Sequence, residues 1–150
     1  MTVPVERIKE WSLPALLRVS RRVYGSAIRD ALAETGYDDV PRNGIFVIGA
    51  IARTGAPLSE IIDQLGVSKQ AAGQLVDALV IRGYLERSID PDDRRRLRVT
   101  LTARGAAAAT AIRSAVERVD SAVAARVGGE YMAHTRATLA SLITGAPPDA

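Results

Sequence analysis

The chain contains no cysteine, only two lysines and a single histidine, His134, among its 150 residues. The missing cysteine excludes disulfide frameworks, thiolate zinc sites, nucleophilic cysteines and thiol redox sensors. Aromatic residues make up 4% of the chain, too few for a base-stacking platform or a ring-lined carbohydrate cleft. The longest apolar run, residues 45–52, is far shorter than the ~18 residues of a membrane span. Charged residues interrupt the N-terminal segment where a signal peptide needs an apolar core, so we expect a cytoplasmic protein without a membrane partner.

The remaining composition is that of a chain that can bury a core. Apolar residues make up 47% and charged residues 25%, which predicts a single domain over residues 1–150. The net charge of +3 arises within residues 82–104, which hold seven arginines and four acidic residues. Such a focused basic segment suggests a polyanionic partner, although a solvated charged loop explains the charge alone equally well.

Hydrophobic periodicity and turn residues give the order of the elements. Amphipathic segments predict helices at residues 12–34, 43–53, 58–65, 69–82, 103–127 and 130–143. Residues 84–89 and 97–101 are typical of two strands, and the Asp-Pro-Asp-Asp sequence between them favours a turn. This order predicts a mostly α protein with a small β-hairpin wing. A winged helix-turn-helix core at about residues 43–101 would lie between flanking helices at about 12–35 and 103–143.

Three packing expectations follow from the same patterns. Ser12 and Thr102 are good N-cap residues for the two long helices. The helix at 43–53 is apolar nearly all round and should be buried. The long helix at 103–127 carries an apolar stripe that should face a neighbour, formed by Ala109, Ile112, Val116, Val119, Val123 and Val127.

The helix at 69–82 divides into two faces when its residues are placed 100° apart. The inward face is apolar and comprises Ala71, Ala72, Leu75, Val76, Ala78 and Leu79. The outward face comprises Lys69, Gln70, Gly73, Gln74 and Asp77, and Ser68 precedes the helix as its N-cap. Glutamine can pair with adenine and lysine with guanine or phosphate, and Gly73 would allow a close approach to a groove. Glycine costs a helix ~1 kcal/mol relative to alanine, so Gly73 calls for a packing or contact explanation.

The hairpin adds positive charge beside this helix. Arg94, Arg95, Arg96 and Arg98 could reach phosphates or a minor groove next to the major groove that the helix occupies. The acidic residues of the same turn suit a DNA-binding wing if one aspartate holds an arginine in position. A helix of this kind alone could be an ordinary solvated surface. Together with the hairpin, it favours double-stranded DNA as the partner.

Two sequence motifs carry a resemblance to a known family. Residues 85–105 contain LERxxDPxDRRxxxVxLTxxG, and upstream lie LGVS at 65–68 and LVDxLxxxGY at 75–84. This pattern resembles the wing and recognition helix of the MarR family of bacterial transcription regulators, and the similarity covers residues 16–143. The sequence departs from the family in two places. Ile61-Ile62 replaces the usual Leu-Ala pair, and no N-terminal cysteine is present, which excludes the peroxide-sensing branch.

The resemblance implies a homodimeric regulator, more often a repressor than an activator, on a pseudo-palindromic operator. It implies that Ser68, Lys69, Gln70, Gly73 and Gln74 enter the major groove. One wing arginine would enter the minor groove, and Asp90 and Asp93 would shape the wing together with Arg94 or Arg95. It also implies a small-molecule effector, often an anionic aromatic compound, bound where the flanking helices meet the winged core. No motif identifies the residues that would bind the effector. Five side chains lie in segments that could line such a pocket: Trp11, Arg18, Tyr24, Tyr37 and Phe46.

The flanking helices support a dimer independently of the resemblance. The winged core is complete without them, so their apolar stripes need another surface, and a second copy of the chain is the natural one. Two copies would present two recognition helices to successive major grooves, which predicts an inverted-repeat site.

Two other functional classes are alternatives to a DNA-binding protein. An enzyme is disfavoured because the chain has one histidine, no phosphate-binding glycine loop and no carboxylate pair in a predicted cleft. We therefore expect no catalytic residues, no metal and no cofactor. The closer alternative is a winged-helix protein-interaction module that has lost specific DNA binding. The polar outward face and the wing arginines argue against it.

Overall fold

The computed structural model describes residues 4–55, 57–92, 94 and 97–147. Within that part of the chain, seven helices and two strands follow one another: α1 (Val5–Lys9), α2 (Leu13–Glu34), α3 (Arg42–Thr54), α4 (Leu58–Leu65), α5 (Lys69–Ile81), β1 (Leu85–Ile89), β2 (Leu97–Leu101), α6 (Ala103–Val127) and α7 (Gly129–Thr144). The predicted fold class, helices with one small hairpin, is confirmed. The short helix α1 was not predicted. None of the helices described combines the length and the hydropathy needed to cross a membrane.

The core lies where the winged helices meet the C-terminal end of α2 and the first half of α6. Its largest fully buried side chains are Tyr84, Ile48, Ile61, Leu79, Leu85 and Val47. The face that α6 buries is rich in small residues, including Ala108, Ala109 and Ala115. Small side chains let α3 approach closely, and Ile112 of α6 lies 3.7 Å from the point where Gly49 of α3 would carry a Cβ. The winged core therefore packs on an apolar face of α6 that is made mostly of small side chains.

The hairpin projects from this core. β1 and β2 pair antiparallel with Leu85 opposite Leu101 at the base, and Leu85 is buried while the rest of β1 is exposed. Near the tip, the Asp90 carboxylate accepts a hydrogen bond from the Asp92 N–H at 2.8 Å, which closes a tight turn. The wing is thus anchored at one end and extends into solvent at the other.

Thr102 caps α6 as expected, because its hydroxyl accepts from the Gly105 N–H at 3.0 Å. Ser12 occupies the N-cap of α2, but its side chain makes no cap hydrogen bond. The second helical residue there is Pro14, which has no N–H, so one of the two backbone donors available to a cap residue is absent.

The two burial expectations hold only in part. Phe46 of α3 is 38% exposed, because α4, α5 and α6 cover only part of that helix. In the α6 stripe, Ala109 and Ile112 are buried while Val127 is 47% exposed. This difference arises because α6 continues past the winged core and leaves its second half with less to pack against.

Candidate nucleic-acid interface

The second helix of the helix-turn-helix, α5, begins at a well-formed cap. The Ser68 hydroxyl accepts a hydrogen bond from the Ala71 N–H at 3.2 Å. Ala72, Val76 and Leu79 are buried, which fixes the inward face as predicted. Ala71 is exposed, contrary to expectation, because it lies at the edge of the inward face, whose centre is formed by Ala72, Val76 and Leu79.

The opposite face of α5 is a continuous exposed stripe, which we call the α5 stripe: Lys69, Gln70, Gly73, Gln74 and Asp77. Gln70, Gly73, Gln74 and Asp77 follow the spacing that places residues on one side of a helix. Neither glutamine forms a hydrogen bond with another described residue. A Cβ built on Gly73 would meet no atom of a described residue within 4 Å, apart from its own helix backbone and chain neighbours. Internal packing therefore does not account for the glycine.

An ion pair fastens the wing to the end of this stripe. The Arg87 guanidinium of β1 donates to the Asp77 carboxylate of α5, and both side chains remain partly exposed. The pair neutralises the acidic residue of the stripe. Arg98 on β2 and Arg94 in the turn are exposed. Three other residues expected to act in the wing, Asp93, Arg95 and Arg96, lie outside the described residues.

A polar cluster that the sequence analysis missed joins the winged core to the flanking helices. We call it the Tyr84 cluster; its members are Tyr37, Asp39, Tyr84 and Arg104. The Tyr84 hydroxyl donates to the Asp39 carboxylate. The Arg104 guanidinium donates to Asp39 Oδ1 and to the Tyr84 hydroxyl, each at 3.0 Å. It also lies over both aromatic rings, 5.2 Å from the Tyr37 centroid and 4.7 Å from that of Tyr84.

The cluster shifts the pKa values of its members. Burial, with the hydrogen bond to Asp39, raises the pKa of Tyr84 to about 12. The hydrogen bond from Tyr84, together with the charge of Arg104, holds the pKa of Asp39 below its usual value. The neutral phenol and the ionised carboxylate are therefore the forms that the fold favours.

One sequence signal pointed to this junction. Gly105 belongs to the wing motif, and a Cβ on it would lie 2.0 Å from the Tyr84 carbonyl oxygen. The glycine is required because the first turn of α6 crosses the backbone at Tyr84 in direct contact.

A second polar network ties the flanking helices together. The Tyr24 hydroxyl of α2 donates to Asp120 of α6 at 2.6 Å, and Arg136 of α7 donates to the same carboxylate. The hydrogen bond to Asp120 raises the pKa of Tyr24. Apart from this network, α7 is weakly anchored, since none of its residues is buried.

An open groove of about 710 Å³ lies between the C-terminal end of α2 and the first half of α6. Glu34, Tyr37, Ser114 and Arg118 are among the residues that line it. Of the five side chains considered for an effector pocket, Tyr37 is the one that lines this groove. His134 lies on the exposed surface of α7, 3.6 Å from Glu130. The described residues hold no group of three or more His, Asp or Glu side chains placed to bind a metal ion.

This geometry can be compared with known proteins. Residues 38–96, which span α3, α4, α5 and the greater part of the hairpin, match the model of the MarR family. This part of the chain is similar to the MarR family. The match supports a DNA-binding transcription regulator, and MarR-family regulators are generally not enzymes. No curated protein matches the chain.

Solved structures share the MarR-family fold beyond the winged core. NadR in complex with 4-hydroxyphenylacetate is 21% identical, with a TM-score of 0.71 over 96% of this chain and 98% of NadR. The transcriptional regulator PA4135 is 22% identical, with a TM-score of 0.70 over 92% of this chain and 100% of its own. MepR of S. aureus, in a complex with DNA, is 17% identical, with a TM-score of 0.69 over 91% and 100%. These likenesses cover the flanking helices as well as the wing.

Proposed function

We propose that this chain is a transcription regulator that binds double-stranded DNA in a sequence-specific manner as a homodimer. The observation that carries the proposal is the α5 stripe: an exposed row of amide, amine and glycine beside a wing that carries unburied arginines. In this proposal Ser68, Lys69, Gln70, Gly73 and Gln74 meet the major groove. The DNA-bound structure of MepR, which shares the fold, supports this use of the winged core.

The chemistry of the stripe suits base recognition. Glutamine offers a donor and an acceptor together, which matches the N6 and N7 edge of adenine. Lys69 can contact guanine or a phosphate. Because none of the described residues packs against Gly73, its role is best explained by close contact with a partner. That contact would offset the ~1 kcal/mol that glycine costs the helix.

The wing contributes the contacts that do not depend on sequence. Arg94 and Arg98 are exposed, and we assign phosphate or minor-groove contacts to them and to Arg95 and Arg96. We assign the shaping of the wing to Asp90 and Asp93. The tight turn that Asp90 closes supports its part. The ion pair between Arg87 and Asp77 would keep the wing in register with the α5 stripe.

A second copy of the chain would cover the ends of the flanking helices. Large apolar side chains are exposed there, namely Leu13 and Leu17 on α2, Val127 on α6, and Tyr131, Leu142 and Ile143 on α7. Exposed apolar side chains concentrated on three neighbouring helices are typical of an interaction surface. Isologous pairing through these ends would place two α5 helices for an inverted repeat. We assign the dimer contacts to helices within residues 12–35 and 103–143, and DNA contacts to the core at about 43–101.

We further propose that the regulator is a repressor released by a small-molecule effector. The groove between α2 and α6 is large enough for such a compound, and NadR, of the same fold, was solved with 4-hydroxyphenylacetate. An effector that lowers operator affinity ~100-fold needs ~2.7 kcal/mol of coupling between the two sites.

The test begins with the DNA itself. Selection from genomic fragments would yield an operator, and binding would then be measured on that operator and on a scrambled copy across a salt series. The proposal expects a preference of ~10³ or more with a steep salt dependence. Weak binding that is equal on both DNAs would favour the protein-interaction module instead.

Matched variants separate the two kinds of contact. Gln70→Ala should cost about 1–3 kcal/mol on the operator and relax base preference, while Gln64→Ala, on α4, should not relax it. Arg98→Ala should weaken binding to all sequences alike and lower the salt slope by about 1, in contrast to Arg126→Ala at the far end of α6. If Gln70→Ala weakens operator and scrambled DNA equally, the assignment of the α5 stripe is wrong.

A further inference from the structure

We propose that the Tyr84 cluster sets the spacing between the two recognition helices of the dimer and thereby selects the distance between operator half-sites. The inference rests on the proposed function, since it needs a dimer that binds DNA. It assigns a positioning role to Tyr37, Asp39, Tyr84 and Arg104, all of which lie outside the α5 stripe and the wing turn.

The chain passes between the flanking helices and the winged core twice, and both passages meet at Tyr84. On leaving the core, the Thr102 N–H donates to the Tyr84 carbonyl at 3.1 Å, and the Thr102 hydroxyl donates to the Gly83 carbonyl. On entering the core, the segment between α2 and α3 supplies Asp39 to the Tyr84 hydroxyl. Arg104 bonds to Asp39 and to Tyr84, so it joins both passages.

Apolar packing also joins the two parts: α3 rests on the alanine-rich face of α6, and the C-terminal end of α2 lies in the same core. The small side chains of that α6 face offer few ridges to set a crossing angle. Hydrogen bonds and a guanidinium placed over two rings do have a required geometry. The cluster can therefore fix the angle at which the winged core, and α5 within it, leaves the flanking helices.

DNA geometry converts that angle into a measurable quantity. Half-sites one helical turn apart are separated by roughly 34 Å, and each base pair adds about 3.4 Å and about a tenth of a turn. A rigid joint would keep the second α5 helix from following an insertion of one base pair. A loosened joint would let the winged core rotate and accept the altered spacing.

The experiment measures binding of the full-length protein to its selected operator and to versions lengthened or shortened by one base pair at the centre. We expect the natural protein to lose about 30-fold or more in affinity on either altered operator. Arg104→Lys keeps the charge but loses the planar contacts with both rings, and Tyr37→Leu removes one ring. Each should shrink the spacing penalty at least tenfold.

Two controls share the chemistry but not the role. Tyr37→Phe keeps the ring under Arg104, and the Tyr37 hydroxyl bonds to no other described residue, so the full penalty should remain. Arg113→Lys changes the same residue type on the exposed side of α6, where it is 3.9 Å from Glu117. It should also keep the penalty.

The spacing ratio separates positioning from simple destabilisation. A variant that is only less stable would bind all three operators more weakly by the same factor. The inference is overturned if Arg104→Lys and Tyr37→Leu keep the full penalty while the natural protein shows one. A natural protein that binds its operator no better than scrambled DNA would instead contradict the proposed function, and the inference would fall with it.

Discussion

The winged core and the outer ends of the flanking helices solve the burial of apolar residues differently. In the core, Leu79, Ile48 and Ile61 are at most 1% exposed. On α7, Leu142 is 62% and Ile143 is 83% exposed, although the helix is as regular as any in the core. Both regions carry large apolar side chains, but those of one region find a partner surface within the chain and those of the other do not.

The two regions also differ in the contacts that hold them within the chain. Tyr84 is buried in one cluster with residues of α3, α5 and α6, and a glycine of α6 lies at the point of closest contact with its backbone. Within the chain, the flanking helices α2, α6 and α7 are joined to one another by the hydrogen bonds of Tyr24 and Arg136 to Asp120. We therefore expect core substitutions to act on folding and flank substitutions to act on assembly.

The largest effect is expected for Gly105→Ala, which acts on the core. Its Cβ would lie 2.0 Å from the Tyr84 carbonyl oxygen, so the first turn of α6 must move. We expect a loss of about 3 kcal/mol or more in the free energy of unfolding, measured by denaturant titration at one protein concentration. Gly129→Ala, on the flank, would place a Cβ with no described neighbour within 4 Å and should not be destabilising. Equal losses of unfolding free energy in the two variants would contradict the proposed difference between the core and the flank.

The next largest effect is expected for Ile143→Glu, which acts on the flank. A charge at this exposed apolar site should raise the dissociation constant of the dimer tenfold or more, or ~1.4 kcal/mol, as measured by sedimentation over a concentration series. Ser59→Glu adds the same charge on α4, in the core region, and should leave the dissociation constant unchanged. If Ile143→Glu leaves the dissociation constant of the dimer unchanged, the second copy docks elsewhere.

A smaller effect is expected for Gly73→Ala, at the one face of the core that we assign to a partner. The added Cβ meets no described residue within 4 Å outside its own helix, so the helix should gain up to ~1 kcal/mol in stability. Operator affinity should fall at the same time, because the methyl group would stand between α5 and the groove. A variant that gains stability and keeps full affinity would contradict close approach at Gly73.

The smallest effect at neutral pH concerns the junction of the two regions. The pKa of Tyr84 is raised to about 12 in the folded protein, above the ordinary value of 10.0. The stability linked to this shift is therefore fully present below pH 10 and is lost as the pH rises from about 10 through 12. Tyr84→Phe should flatten the fall in unfolding free energy over that range, whereas Tyr131→Phe, at an exposed site, should not. If the unfolding free energy of Tyr84→Phe falls as steeply over that pH range, groups other than Tyr84 cause the loss of stability.

Several features of the fold could be predicted because their signals are local. The α5 helix, its serine cap and its buried face follow from spacing within thirteen residues, and the Asp-Pro-Asp-Asp sequence marks the turn of the hairpin. The bounds of β2 and α6 agree with prediction for the same reason. The prediction for Ala71 was wrong because periodicity assigns a face but not how far across that face the covering core extends. The DNA-contact residues named from the sequence stay predictions.

Long-range contacts left no comparable signal. Asp39 and Tyr84 are 45 residues apart, and Tyr24 and Asp120 are 96 apart, so no spacing rule could pair them. Gly105 was visible as part of a motif, but its reason, a carbonyl oxygen in its place, appears only when α6 crosses Tyr84.

The amino-acid sequence by itself determined the class of the fold, the order of its elements, the polar stripe of α5 and the concentration of arginine in the wing. These depend on helical and strand periodicity and on turn residues, which act over a few positions. The tertiary structure decided that Arg87 neutralises Asp77, that both chain passages meet at Tyr84, and that α7 remains uncovered. The physical reason is that side-chain geometry and burial depend on which distant segments come together, and that is fixed only when the whole chain packs.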